Sequence, residues 1–471
     1  MTSTPKEELS RAESMLDKGE YREALEVLST LAARKKLPPE DQFASLLLET
    51  RLRVRLGELE TALSLTEVAR KEVNRIENPL LVVDYLTAKT EVCWRSGRID
   101  EGLRVLDECK RVLEELHQES GTIDEAELRR REGEYLLQAG ILYWYKGNLE
   151  TSREYHQRAL EIRERLGHLR AIADSLNNLA LVYQSKGEPD IAAEYHEQSL
   201  RIREELGSKP DIASSYNNLG NIYALKGDMT RALDFHERGL KIREELGNKH
   251  GIAMSLLNVG SINQSIGNLS RALEYYHRSL ETYEELGISH MIALALNNIG
   301  SAYQVKGDLD RALEYHERSL AIREELDIKQ ELALSLVNLG YVHWKKNAFG
   351  QAMKYYQRSL EIYEEAGNDP YAALVLYQTV LVALDSDDIT TANQHLQRFE
   401  QINRRADNRV IDQRYRVAKA LSLKKSKRTR ERAMAEEILA SVVSEEISDH
   451  SLTVTAMIHL CDLLLLELKL T

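Results

Sequence analysis

Apolar residues recur at helical spacing along almost the whole chain. In one segment Leu176, Leu179, Ala180 and Tyr183 fall at i, i+3, i+4 and i+7, and Ala192, Tyr195, His196 and Ser199 repeat that spacing. Each set forms one stripe on one α-helix, so the pattern predicts two helices joined by a short turn. Lys186-Gly187-Glu188 marks the turn, with equivalents at Lys146-Gly147-Asn148, Lys226-Gly227-Asp228 and Lys306-Gly307-Asp308. Together with Gly267, these glycines fall every 40 residues from Gly147 to Gly307. Weaker copies stand at Gly19, Gly57 and Gly97. A small residue follows each glycine five positions later, from Ala24 to Ala312, and the beat continues without its glycine through Ala352, Ala392 and Ala433.

Glycine supplies the permissive backbone that such a turn needs. Asn148, Asp228, Asn268 and Asp308, the residues after it, are suited to cap the second helix. The prolines agree with this division: Pro38, Pro39, Pro79, Pro210 and Pro370 fall at inter-repeat loops, and Pro5 and Pro189 at helix starts. A two-helix unit cannot bury its own stripe, so neighbours must stack into a solenoid. Tyr143, Tyr183, Tyr223 and Tyr303 on first helices, and Tyr155, Tyr195, Tyr275, Tyr315 and Tyr355 on second helices, fill the space between them. Two places break the rhythm: a longer loop is expected at 117–126, and a basic run spans Lys424 to Arg432.

The column Leu-x-x-Leu-Gly/Ala-x-x-Tyr, then Gly, then Ala-x-x-x-His/Tyr-x-x-Ser-Leu resembles the tetratricopeptide repeat. The 40-residue period is similar to the extended repeats of kinesin light chains and Pins-type adaptors. The resemblance is strongest over about 125–367. It implies an all-α, right-handed superhelix of about eleven helix-turn-helix repeats. Divergent repeats are expected over 1–124, regular repeats over 125–367, and divergent C-terminal helices over 368–471.

Composition narrows the function. Charged residues make up 30% of the chain and the net charge is −13, which argues against nucleic acid or anionic membrane as partner. Cys93, Cys109 and Cys461 have no metal-like spacing and offer no disulfide framework, as suits a reducing compartment. The N-terminal stretch lacks a basic region followed by an apolar run, and no stretch approaches the length of a membrane span. A cytoplasmic protein is expected.

No motif carries enzyme chemistry, and no cofactor is expected. Tyr195-His196-Glu197-Gln198 and Tyr315-His316-Glu317-Arg318 contain half of a zinc-protease H-E-x-x-H motif, but Leu200 and Leu320 occupy the second histidine's place. His156, His196, His236 and His316 recur once per repeat, which points to packing at the helix–helix seam. Runs such as Ile202-Arg203-Glu204-Glu205-Leu206-Gly207 read as solvated helix faces, with Glu154–Arg158, Asp234–Arg238, Glu274–Arg278 and Glu314–Arg318 as i,i+4 pairs.

The candidate site is a column of asparagines. Asn178, Asn218, Asn258, Asn298 and Asn338 are identical in five consecutive repeats, and Asn178 lies about 200° from Leu176, away from the packing stripe. Asn221 shares that face, and Gln264 and Gln304 sit at its edge. The segments 212–225, 252–265 and 292–305 carry no charged residue, whereas 230–246 is densely charged. The resemblance implies that first helices line a concave groove in which asparagine can grip the backbone of an extended peptide. A primary amide offers donors and an acceptor together, so it reads peptide direction with little sequence preference. Two readings of the column stay open: peptide gripping, or hydrogen bonding to a neighbouring first helix. Lys345 beside Tyr341 and Trp344 suggests a local anchor.

At the C-terminus, 453–471 reads as a first helix with no turn or partner, which suggests self-association or a missing domain. The expected function is a non-catalytic scaffold for protein–protein interaction that holds an extended segment in its groove. The alternatives are a regulatory or sensor module of a larger signalling or transcription protein, and a self-associating assembly scaffold.

Overall fold

The computed structural model describes residues 4–33, 37–118, 123–426, 428–445 and 450–470, and among them all regular structure is helical. The turn glycines take the left-handed conformation, with φ of 76° at Gly147, 78° at Gly187 and Gly227, 83° at Gly267 and 84° at Gly307. Where the beat runs on without glycine, Asn347 and Asp387 adopt the same backbone at φ 59° and 55°. These two residue types tolerate that region because their short polar side chains bond locally. Asn148, Asp228 and Asp308 cap the following helices by accepting from the backbone N–H three residues on, whereas Asn268 makes no such bond.

The chain divides into two compact units, 1–255 and 256–471. It opens with Pro5–Lys18 (α1), Tyr21–Ala32 (α2), Pro39–Arg55 (α3) and Leu59–Glu72 (α4). Then come Pro79–Arg95 (α5), Ile99–Gln118 (α6), Glu125–Tyr145 (α7) and Leu149–Leu166 (α8). Leu169–Ser185 (α9), Pro189–Leu206 (α10), Lys209–Leu225 (α11), Met229–Glu245 (α12) and Lys249–Ser265 (α13) follow. The next repeats are Leu269–Leu286 (α14), Ser289–Lys306 (α15), Leu309–Glu325 (α16), Lys329–Lys345 (α17) and Phe349–Glu365 (α18). The chain ends with Asp369–Asp385 (α19), Ile389–Arg405 (α20), Arg409–Lys424 (α21), Thr429–Ser444 (α22) and His450–Leu470 (α23). Odd-numbered helices are first helices and even-numbered ones second helices, giving eleven pairs and α23 among the described residues. Pro39, Pro79, Pro210 and Pro370, expected in loops, lie in the first turns of α3, α5, α11 and α19, where proline costs no hydrogen bond. In the longer connection, residues 119–122 lie outside the described residues.

Within a repeat the two helices meet at a ring pressed against a small residue. A Cβ built on Gly140, Gly220 or Gly300 would stand 2.5, 2.6 or 2.8 Å from the ring of His156, His236 or His316. Tyr276 and Tyr356 take the same place against Gly260 and Gly340 at 2.6 and 2.8 Å. Buried hydroxyls close the seam: Ser199, Ser319 and Ser359 donate to the carbonyls of Ala173, Ala293 and Ala333.

Between repeats the tie is a buried arginine. Arg163, Arg203, Arg243 and Arg323 each donate Nη1 to a serine 12 residues on: Ser175, Ser215, Ser255 and Ser335. The same nitrogen reaches the carbonyl eight residues on. Arg203 therefore departs from the solvated face expected for Ile202–Gly207: the guanidinium is buried because the next first helix lies over it. Of the surface pairs expected at i,i+4, Arg238–Asp234 forms at 2.9 Å, while Arg318 reaches across to Glu284 at 3.8 Å. The basic run is taken up locally, with Lys424 on Asp462, Lys425 on Asp387 and Arg428 on Glu431.

Two predictions follow from the seam. Ala180 already stands where other repeats have glycine against a histidine, opposite His196. Gly220→Ala should therefore be nearly neutral to thermal unfolding. Gly340→Ala, facing the larger fully buried Tyr356, should destabilise by about 1–3 kcal/mol. The second concerns acid. Burial pushes His156 down to about 3 and His196, His236 and His316 down to about 4. The unfolded chain binds protons at these sites near pH 6.5, so stability is lost as pH falls from about 6.5 toward about 4. Replacing His236 and His316 with tyrosine, as the chain does at 276 and 356, should flatten this acid limb in unfolding curves measured at successive pH values.

Candidate functional site

In unit 1 the first-helix face that carries the asparagine column begins charged. Arg51 and Arg55 of α3 and Glu91 and Arg95 of α5 occupy the repeat positions that Leu181 and Ser185 take in α9. Arg55, itself exposed, is held above its usual range foremost by Glu91, and then by Asp174, Tyr21 and Glu134. Those acids are themselves engaged: Glu91 by Arg95 at 3.1 Å, Glu134 by Arg163 at 2.9 Å and Asp174 by Arg203 at 2.9 Å. The end of α1 returns against later helices of the same unit. Arg170 of α9 donates to the Leu16 carbonyl at 3.5 Å, and Gly19 lies against Pro210 of α11. This end of the unit carries its own complement of charge.

The asparagine column lies half-buried on first helices. Asn178 donates to the carbonyl of Asp174 on its own helix. Asn218 donates 2.8 Å to Oδ1 of Asn177, 41 residues earlier on the preceding first helix. In unit 2, Asn338 donates to Oδ1 of Asn297 at the same offset and distance. The adjacent asparagine, Asn177 or Asn297, is thus the acceptor for the next repeat's column residue. Asn221 is exposed, and Gln264 accepts from the Tyr276 hydroxyl at 3.1 Å. The Gln304 Oε1 is buried without a partner in the protein.

The column is longer than the run of asparagines shows. Gln138 stands 40 residues before Asn178, and Gln378 stands 40 after Asn338. Gln138 is bonded through both ends of its amide, accepting from the Trp94 indole and donating to Glu134. Gln378 Oε1 is buried and unpaired. All three tryptophans, Trp94, Trp144 and Trp344, stand three residues before a turn residue, namely Gly97, Gly147 and Asn347. The indoles of Trp144 and Trp344 reach Ser185 and Asp385 on the next first helix. In unit 1, Trp94 packs against Tyr145 at 5.9 Å, with the Arg95 guanidinium 4.5 Å above its ring. In unit 2, Tyr341 and Trp344 meet edge to face at 5.8 Å, and Lys345 Nζ lies 5.2 and 4.6 Å from their ring centres. The common repeat position of tryptophan and the glutamines at 138 and 378 were visible as spacings, but different residue types hid the column.

No group of metal-ligating side chains occurs among the described residues, and no helix there is long and apolar enough to cross a membrane. Beyond the charged start of unit 1, the column face of the first helices offers amides, hydroxyls and aromatic rings. A test of the amide ladder is Asn297→Leu, the residue found at 257. It leaves the Asn338 amide without its acceptor and should lower stability by about 1 kcal/mol, read from the thermal midpoint.

The profile described as tetratricopeptide repeat matches residues 131–205, 211–285 and 291–365, and a second of the same description matches 177–244. No curated protein matches the sequence. Among solved structures, a Rap protein complexed with competence and sporulation factor is 18% identical, with a TM-score of 0.53 over 80% of this chain and 100% of its own. The quorum sensor NprR from B. thuringiensis is 16% identical, with a TM-score of 0.56 over 78% of this chain and 99% of its own. A P. anserina array of kinesin light chain type is 17% identical over 44% of this chain and 99% of its own, with a TM-score of 0.38.

Proposed function

Given that residues 131–365 belong to the tetratricopeptide repeat family, we propose that the chain is a scaffold that holds an extended segment of a partner protein along its first helices. The observation that carries this is the change in the inner face along the chain. The N-terminal first helices fill it with paired charges, whereas 214–225 and 254–265 present asparagine, serine and apolar side chains. A face meant only for water would favour lysine and glutamate, which are better helix formers than asparagine. The Rap protein of similar fold is described in complex with a factor, so a fold of this kind can hold a partner.

The reading is tested by changing Asn218, Asn258 and Asn298 together to alanine and comparing capture from native lysate with that of the parent chain. Circular dichroism should show unchanged helicity. The variant is expected to lose proteins that the parent retains; identical capture by a folded variant would overturn the proposal.

A further inference from the structure

In a stacked array each first helix is covered on two sides, by the second helix before it and by the second helix of its own repeat. Thus α9 packs against α8 on one side and α10 on the other. On α23 only one of these sides is covered. Leu452, Thr453 and Ala456 are buried where the helix packs against α21 and α22. Their spacing puts α23 in register with α9, where Ser175, Leu176 and Leu179 are buried in the same way. Met457 then stands at the seam position held by Ala180 in α9, Gly220 in α11, Gly340 in α17 and Ala418 in α21. Ala180 and Ala418 are fully buried there, whereas Met457 is 48% exposed. Among the described residues no helix covers this side of α23.

The uncovered side is one continuous stripe. Val454, Met457, Cys461 and Leu464 alternate spacings of three and four, as the a and d positions of a heptad do, and Ile458 and Leu465 flank them. All six are exposed. None of them is a charged residue type, and the acid beside them, Asp462, is engaged by Lys424 at 2.9 Å. The stripe leaves roughly 450 Å² of apolar surface bare, close to the apolar share of a homodimer interface that takes about 800 Å² from each partner.

The residues of the stripe also say what fits it. In the regular repeats the second helix brings a histidine or tyrosine ring to this seam, which is why a Cβ on Gly220 would stand 2.6 Å from His236. Met457 closes the place that such a ring needs. A heptad stripe, by contrast, is matched by an identical helix, because its knobs and holes are self-complementary across a two-fold axis.

We infer that the face of α23 from Val454 to Leu465 is the interface of a homodimer, in which this helix pairs antiparallel with its copy. The pairing sets Val454 against the partner's Leu464 and Met457 against the partner's Cys461. Each layer then joins a larger side chain to a smaller one, whereas a parallel pair would stack methionine on methionine and leucine on leucine. Removal of the stripe from water drives the association. The inference does not rest on the groove function proposed above, and either can fail alone.

The experiment uses the full chain. Light scattering after size exclusion should give twice the mass of one chain at about 10 µM and above, with dissociation on dilution. Met457→Glu combined with Leu464→Glu should weaken association at least tenfold and leave the circular dichroism unchanged, since both side chains are exposed. Met457→Cys places a thiol against the partner's Cys461, so oxidation with copper phenanthroline should give a covalent dimer on a non-reducing gel. Adding Cys461→Ser should slow that cross-link at least tenfold. A chain that stays monomeric at about 100 µM overturns the inference, whether the face then takes a lipid vesicle, a different protein or nothing. A dimer that survives the two glutamates, or a cross-link that forms equally fast without Cys461, overturns it as well.

Discussion

The buried arginine between repeats is the constraint on which the arrangement of the inner face depends. A guanidinium removed from water is tolerable only when its N–H groups are matched by fixed acceptors, and its fork makes that match directional. Arg163, Arg203, Arg243 and Arg323 find a serine hydroxyl and a backbone carbonyl on the next first helix. Each bond therefore sets the rotation of that helix about its own axis, not merely its distance. The sequence keeps the two halves of the device together. Where position 283 or 363 holds tyrosine in place of arginine, the serine is replaced as well, by Ala295 or Val375. Apolar packing alone would allow a first helix to roll; the arginine and serine together do not.

The same arginines explain where charge enters this face of the first helices. Arg163 and Arg203 send a second N–H back to Glu134 and Asp174, acids on the inner face of the preceding first helix. Further along, the positions equivalent to those acids are Ser214, Met254, Leu294 and Leu334. Arg323 instead has Glu331 at 3.4 Å, on the following helix. Moving the counter-charge from the groove side of the seam to its far side keeps the arginine compensated while clearing carboxylates from the inner face. The loss of carboxylates at these first-helix positions is thus a consequence of how the seam is balanced, repeat by repeat.

Much of this architecture was legible in the sequence because a repeat is a one-dimensional signal. The turn glycines, the caps at Asn148, Asp228 and Asp308, and the seam histidines all follow from a residue type returning at a fixed interval. What stayed hidden depended on relations between helices. Arg203 looks like one charge among many in Ile202–Gly207, and only the helix laid over it shows that it is buried. Gln138 and Gln378 continue the asparagine column in position, but a search for identity passes over them. The pairing of Asn218 with Asn177 lies at an offset of 41, one more than the repeat, so the period itself does not reveal it.

That offset gives the paired asparagines their physical meaning. Where two asparagines stand side by side, as at 177–178 and 297–298, the first supplies the acceptor for the column residue of the next repeat, and the ladder is a stabilising element. Where leucine or valine takes the first place, at 257 and 337, the next column residue is released from that duty. A column that served stability alone would have no reason to keep an amide after losing its acceptor: leucine at 298 would pack, and so would methionine at 378. Keeping Asn298 and Gln378 opposite apolar neighbours leaves amide hydrogen-bonding capacity unspent, at some cost to the fold. The alternation of paired and unpaired amides therefore separates positions that hold the helices to one another from positions without that duty.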